Sequence, residues 1–370
     1  MSLLFEPLTL RSLTLKNRIV VSPMCQYSSR MGLADDWHLV HLGRFALGGF
    51  GLIMAEASAV TAEGRITYGD LGIWTDAHIA PLRRITDFLH ANGAAAGIQL
   101  AHAGRKGSTP APWRPEPSEA EKPHIAFEDW QPVAPSAVPH AEGWKVPHEL
   151  TLEEIAELVQ AFAQAARRAD EAGFDVVEIH AAHGYLLNQF LSPLANRRTD
   201  AYGGSHESRM RLVLEIATAV RAVWPDHKPL FTRLSIQDWH PEGWQIDDSI
   251  VLAKELKTIG VDVIDSSSGG FSGAQINVGP GYQVRLAQAV RQGTDMKVMA
   301  IGLLGDPELA ESVLAEGKAD LIALARPALD DPNWPAHARK ALEPGSDIGE
   351  LLSPQAGYAV RGLYRALGRG

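Results

Sequence analysis

A single cysteine, Cys25, occurs among 370 residues. One thiol closes no internal disulfide, and neither a four-thiolate zinc site nor an iron–sulfur cluster can be built within one chain. Positive charge is also in short supply: 34 Lys and Arg stand against 44 Asp and Glu, a formal net charge of -10 with the 14 His taken as neutral. A protein that grips a duplex needs clustered cations against the phosphates, so nucleic acid is not the expected partner. No apolar run approaches the length of a bilayer crossing, and residues 1–18 lack the basic-then-apolar order of a secretion signal, which makes no membrane and a cytoplasmic location the expectation. A Gly-x-Gly-x-x-Gly turn after a strand is missing too. The nearest match, Gly49-Phe50-Gly51, continues to Met54 and precedes its strand, so no resident dinucleotide fold is expected.

What is present is a soluble globular composition, 45% hydrophobic and 21% charged, with ample apolar side chains for a core. Short runs of Val, Ile and Leu alternate with stretches of helical period, the signature of repeated βα units around a parallel sheet. Eight runs stand out, at 19–22, 51–56, 95–100, 176–180, 230–234, 261–265, 298–301 and 321–324. The pattern predicts an α/β chain forming one (β/α)8 TIM barrel as a single domain over 1–370. The clearest helix opens at Thr151 with Glu154 three residues on, a capping box, and stops near Gly173. Others are expected at 76–92, 206–223, 247–259, 306–316 and 333–342.

Two segments fall outside the repeat. Residues 1–18 alternate around Pro7 and suit an N-terminal hairpin closing the bottom of the barrel. Residues 104–148 carry nine of the 23 prolines, which predicts a non-helical, ordered excursion over the mouth after the third strand.

Barrels place chemistry on the loops that follow the strands, and functional residue types stand where the apolar runs end. Cys25 follows the first, Glu56 and Ala57 close the second, Gln99 lies in the third, His180 ends the fourth and Arg233 lies in the fifth. Ser266 to Ser268, Gly302 and Arg326 follow the sixth, seventh and eighth. In His180-Ala181-Ala182-His183-Gly184-Tyr185 two imidazoles can offer N–H donors to one oxygen, an oxyanion-type site for a carbonyl or nitro group. A metal pair and a purely structural pair stay open as alternatives at this point. The two-His helical zinc pattern has Glu after its first His and i, i+4 spacing, whereas here Ala181 follows and the spacing is i, i+3. Tyr185 could give a proton to a carbon beside the activated group, or simply pack. Cys25 could be a nucleophile, a redox tuner or a small buried apolar residue. Phosphate suits Gly302 and the run Ala323-Leu324-Ala325-Arg326, because barrels bind it after strands seven and eight.

With those residues placed, the chain closely resembles the Old Yellow Enzyme family, in the bacterial, thermophilic-like branch that carries Cys on the first strand and includes xenobiotic reductases. The resemblance runs nearly end to end. It rests on Asn17-Arg18-Ile19, on Ser22-Pro23-Met24-Cys25-Gln26-Tyr27, on the run from Gln99 to Lys106, on the His180 to Tyr185 motif, on the run from Arg197 to Ser205, and on Arg361-Gly362. It implies an NADPH dehydrogenase and ene-reductase with tightly but noncovalently bound FMN and NADPH as a transient hydride donor. Its small-molecule substrates would be electrophilic alkenes, the α,β-unsaturated carbonyl and nitro compounds. Hydride would pass from FMN N5 to the β-carbon and a proton from Tyr185 to the α-carbon, in a ping-pong sequence. Lacking a dinucleotide fold, the nicotinamide would dock in the same mouth as the substrate. Ser22, Pro23, Met24, Cys25 and Ala57 would face the flavin, Gln99 and Arg233 its pyrimidine and N1 side, and Ser268, Gly302, Ala325 and Arg326 its phosphate. Cys25 then looks like a tuner of flavin potential. His180 and His183 would hold the substrate oxygen, assisted by Tyr27, and no metal is expected. Residues 344–370 would form a tail at a subunit interface of a homodimer or homotetramer, with Arg361 reaching the neighbouring active site. A related flavin barrel that carries an iron–sulfur cluster and a second dinucleotide domain is ruled out by the cysteine count and the length.

Overall fold

Eight parallel strands close on one another into a barrel in the computed structural model, which describes residues 2–113, 122 and 129–368. Among the described residues twelve strands occur in chain order: β1 (Leu8–Leu10), β2 (Leu13–Leu15), β3 (Ile19–Val21), β4 (Leu52–Ala59), β5 (Ala95–Ala101), β6 (Val133–Ala134), β7 (His148–Glu149), β8 (Val176–Ala181), β9 (Leu230–Ser235), β10 (Val263–Ser267), β11 (Lys297–Ala300) and β12 (Leu321–Leu324). The ring runs β3-β4-β5-β8-β9-β10-β11-β12 and returns to β3, every pairing in it parallel. The helices are α1 (Asp36–Leu47), α2 (Ile79–Ala91), α3 (Leu152–Glu171), α4 (Leu186–Leu191), α5 (His206–Val223), α6 (Ile246–Ile259), α7 (Val284–Thr294), α8 (Pro307–Ala315), α9 (Arg326–Asp330), α10 (Trp334–Leu342) and α11 (Pro354–Ala366). The (β/α)8 expectation holds, and all eight expected strands are present.

Both faces of the barrel strands are covered, which is why they read as unbroken apolar runs and not as alternating ones. One core lies between strands and helices; a second fills the barrel's lower interior with Val20, Leu52, Met54, Val176, Phe231, Val263, Met299 and Leu321. The antiparallel β1–β2 hairpin adds Leu8, Leu10 and Leu15 to that second core, plugging the N-terminal end. Chemistry is thereby left to the C-terminal end.

Local signals explain most of the helices. In α3 the Thr151 hydroxyl accepts from Glu154 N, while Glu154 returns a carboxylate oxygen to Thr151 N at 2.7 Å, and Gly173 follows at φ 86°. Helices α1, α4, α7, α9 and α11 were not expected from the sequence. The outer face of α1 carries exposed Trp37 and Val40, which blurs its apolar period, and α7 follows Gln283, whose side chain makes no cap. The segment 76–92 is a short 3-10 turn leading into α2.

The described part of the proline-rich excursion holds a three-residue 3-10 turn, Gly104–Lys106, and the two-residue parallel pair β6–β7. Arg198 pins it by donating from Nη1 to the carbonyls of Pro135 and Leu150 at 3.0 and 2.6 Å. The expected absence of helix at 114–121 and 123–128 lies outside the described residues. The C-terminal tail meets the opposite end of the barrel through Leu351, whose carbonyl crowds Gly49 just before β4, and α11 packs on that tail, Gly357 backing onto the Gly349 carbonyl. No helix among the described residues is long and apolar enough to cross a membrane.

Candidate active site

The site grows from the strand ends. Ser22 leaves β3 with its N–H bonded to the Leu324 carbonyl of β12 at 3.0 Å, and the segment that follows turns sharply, Tyr27 sitting at φ 51°. Glu56 fixes this turn. The β4–β5 register slips between Ala55 and Ala57, so Glu56 occupies a bulge, where one extra residue re-aims the strand beyond it. Its buried carboxylate accepts from Gln26 N at 2.5 Å and lies 3.2 Å from His38 Nε2. Burial drives the Cys25 thiol well above its ordinary pKa, with Asp70 and Glu56 adding to the effect, so the group is a neutral thiol. That disfavours a nucleophile, which must be a thiolate.

A polar layer crosses the barrel beneath the mouth. Gln99 Nε2 donates to Glu178 Oε1 at 2.7 Å, and Arg233 Nη1 donates to Ser22 Oγ at 3.1 Å. Arg233 Nε lies 3.1 Å from Asp265 Oδ2, an ion pair by distance whose N–H points off the line of a hydrogen bond. Burial raises the Glu178 carboxyl to about 8, with the Asp265 charge adding, and raises Asp265 too. Two carboxyls therefore share one guanidinium.

Above this layer stands the β8 turn. His180 and His183 meet edge to face with ring centres 5.1 Å apart, and Tyr185 meets His180 at the same distance. Burial first, then Arg233, pushes both imidazoles well below the ordinary histidine value, so both are neutral. His180 Nδ1 accepts the Ala182 N–H at 3.2 Å, which puts the proton of its neutral ring on Nε2. His183 Nε2 shares a 2.7 Å hydrogen bond with Ser267 Oγ, and its backbone N–H is held by Ser235 Oγ at 2.9 Å. The turn costs backbone strain at His183, φ 59°, which these bonds offset. Tyr185, driven well above the ordinary phenol pKa by burial, keeps its proton.

Two cavities open from this centre. One of about 170 Å³ is lined by Arg233, Ser267, Gln283, Gly302, Ala325 and Arg326. Gly302 sits at φ 123°, and a Cβ there would come within 3.2 Å of Gln283. The exposed Arg326 guanidinium makes no ion pair among the described residues, a free cation at a phosphate-sized recess. The other, about 580 Å³, is lined by Ile66, Arg105, Lys106, Pro110, Trp144 and Tyr185.

A family model described as the NADH:flavin oxidoreductase / NADH oxidase family matches residues 3–344. The chain belongs to this family. The chain is 46% identical over 359 residues to an NADPH dehydrogenase of Geobacillus sp. (strain WCH70), covering 96% of this chain and 99% of that one. It is 47% identical over 343 residues to an NADPH dehydrogenase of Geobacillus thermodenitrificans (strain NG80-2), covering 92% and 95%. Among solved structures, morphinone reductase superposes with a TM-score of 0.77 at 30% identity over 92% of this chain and 90% of that one. A 2-naphthoyl-CoA reductase does so with a TM-score of 0.82 at 28% identity, although this chain spans only 52% of its length. The Old Yellow Enzyme resemblance holds, and the chain is a flavin oxidoreductase whose cofactor is FMN.

The mouth of this family member fits FMN by its own chemistry: an unpaired arginine and a side-chain-free glycine on the strand-seven and strand-eight loops for a phosphate, and a cationic floor at Arg233. Ser22, Gln99, His180, His183 and Arg233 converge around one polar layer. Ala57 lies in β4, paired with Gln99, and Pro23 and Met24 lie on the loop after β3. Ser268 does not line the smaller cavity but donates to Gln283 Oε1 at 2.6 Å; Ser267 and Gln283 line it instead. Arg361 stands away from this mouth, bonded to Asp347 at 2.5 Å beside the N-terminal end of the barrel. Sequence reasoning missed Lys106 and Gln283 as site residues, and among Ser266 to Ser268 it chose Ser268 where Ser267 lines the cavity. Lys106 closes the run from Gln99 and stands five residues beyond the end of β5, so its charge on the loop that follows a barrel strand was the available signal; Gln283 precedes an unrecognised helix and gave none. Among the described residues no group of three or more His, Cys, Asp or Glu is placed to hold a metal.

Proposed function

We propose that this flavin oxidoreductase uses NADPH to reduce carbon–carbon double bonds activated by a carbonyl or nitro group, in two half-reactions that share one mouth. One observation carries the reading: two neutral imidazoles face each other at the end of β8 with a protonated tyrosine against them. Neutral rings donate hydrogen bonds without adding a charge the substrate must compete with. The chemistry a bound FMN supplies is two-electron hydride transfer. Ser22, Pro23, Met24, Cys25 and Ala57 would hold its ring system, Gln99 and Arg233 its pyrimidine side, and Gly302, Ala325 and Arg326 its phosphate, with Ser268 acting there through Gln283.

His180 donates from Nε2 to the activating oxygen, joined by His183 and assisted by Tyr27. Such donors strengthen as enolate charge builds in a water-poor pocket, and losing one costs about 3 kcal/mol of transition-state stabilisation. Tyr185 delivers its proton to the α-carbon. NADPH as donor is supported by the named activity of the two Geobacillus relatives. The chain works as one domain over 1–370 in the cytoplasm, a setting that suits its lone thiol. It assembles as a homodimer or homotetramer in which the exposed Arg361 enters a neighbouring mouth.

The test is spectroscopic. Purified protein should be yellow, bleach anaerobically with NADPH, and regain colour on adding 2-cyclohexenone. Bleaching with no recovery by an enone, a nitroalkene or a maleimide would sink the alkene assignment.

A further inference from the structure

We propose that Lys106 is a positioning residue of the proton-transfer step. Its ammonium ties the His183 turn to the loop after β10 and keeps a positive charge against Tyr185, steadying the tyrosinate that forms when Tyr185 gives up its proton. This rests on the reading of Tyr185 as proton donor.

The geometry is specific. Lys106 Nζ donates to the His183 carbonyl at 2.8 Å and to the Gly270 carbonyl at 3.1 Å. Those two backbones are in direct contact: a Cβ on Gly270 would lie 2.0 Å from the His183 carbonyl carbon, and one on Gly184 would lie 2.3 Å from the Gly270 oxygen. The ammonium bridges a joint that carries the substrate-binding imidazole. An ammonium has three N–H donors, so one remains uncommitted. The same Nζ stands 5.1 Å from the Tyr185 ring centre and lines the larger cavity beside Tyr185. Gln189 fixes the lysine's own turn, accepting from Arg105 N at 3.2 Å while donating to the Gly184 carbonyl at 2.7 Å.

No described carboxylate pairs with this half-buried cation; burial and Arg105 lower it to about 8. A desolvated charge without a counter-charge is costly, and a phenol about to become an anion is the partner that recovers the cost. The other titratable groups around it are Arg105, His140, His180, His183 and Tyr185, with Lys145 on the same cavity. Both site histidines lie far below the relevant range, His140 is lowered to about 4, Arg105 to about 10, and Tyr185 is raised. Glu178, at about 8, lies in the polar layer and not against Lys106.

The experiment separates the half-reactions in holoenzyme carrying Lys106→Met, Lys106→Gln, Lys106→Arg or Tyr185→Phe. The expected result is that K106M and K106Q reoxidise with 2-cyclohexenone about tenfold more slowly while flavin reduction by NADPH is little changed. The wild-type alkaline limb near 8 should vanish in both and move upward in K106R, which should recover most of the rate. Lysine-selective NMR should show one resonance, absent in K106R, titrating near 8. An unchanged oxidative rate and pH profile in K106M and K106Q, or equal losses in both half-reactions, overturns the role of Lys106. If Y185F also reoxidises normally, the reading of Tyr185 falls with it; if Y185F alone is slow, only the lysine's part fails.

Discussion

The charge that Arg233 presents to the mouth is set by two carboxyls below it. Asp265 sits within ion-pair distance, and Glu178, raised to about 8, is mostly protonated at neutral pH. Asp265→Asn should leave the guanidinium uncompensated and favour the electron-rich form of the flavin. A spectroelectrochemical titration should find the midpoint potential raised by about 30 mV or more, a tenfold change for a two-electron couple. An unchanged or lower potential would mean that Asp265 does not attenuate the charge. Glu178 makes a separate claim on stability. Its folded pKa lies above the ordinary 4.5, so the native state holds a proton the unfolded chain has lost. Native stability therefore falls as pH rises from about 4.5 toward 8 and levels off above, at most about 1.4 kcal/mol per pH unit. Glu178→Gln lacks this group, so its melting temperature relative to wild type should climb through that window; a constant difference would refute the raised pKa. These residues show what a sequence can carry. Gln99 and Arg233 are legible because they stand inside apolar runs where a polar group must have a partner, but Glu178 and Asp265 read as ordinary strand residues until closure brings them together.

Two loops built on different strands form the joint at the site. The turn after β8 and the loop after β10 touch backbone to backbone at Gly184 and Gly270, and Gly270 sits at φ 120°. Gly270→Ala would meet the His183 carbonyl carbon at 2.0 Å, a contact backbone cannot yield without moving the imidazole. The strain adds roughly 1–3 kcal/mol. Alkene reduction should fall at least about tenfold with the flavin spectrum intact, read by comparing bound FMN with oxidative-half-reaction rate; an unimpaired rate would show the joint to be loose. The strands themselves were legible because burial on both faces leaves an unbroken apolar run. Helix α1 was hidden by its exposed Trp37 and Val40, and the bulge at Glu56 by the absence of any local signal, since a bulge is defined by its partner strand. The β10 loop was legible as a serine and glycine cluster, yet choosing Ser267 or Ser268 as the residue facing the cavity needs the strand's final register.

At the scale of the assembly, the tail is the informative element. Arg361 lies at the barrel end opposite the mouth, held by Asp347, so within one chain it serves a surface ion pair, worth little on its own. Leu363 on α11 and Leu367 at its C-cap, one turn apart, are exposed apolar side chains, a strip that a second copy would cover in the proposed assembly. If Arg361 completes a neighbour's site, two defective chains can repair each other. Arg361→Ala retains Tyr185, Tyr185→Phe retains Arg361, and in a mixed dimer the first chain's mouth receives an intact arginine while the other mouth lacks both groups. Random mixing makes half the dimers mixed with one sound site each, so activity should return to about a quarter of wild type from near zero in either parent. Co-refolding the two variants at equal concentration and assaying enone reduction measures this directly. Activity no higher than the mean of the parents would mean that each mouth is complete within its own chain, and that Arg361 acts only where the fold places it, beside Asp347.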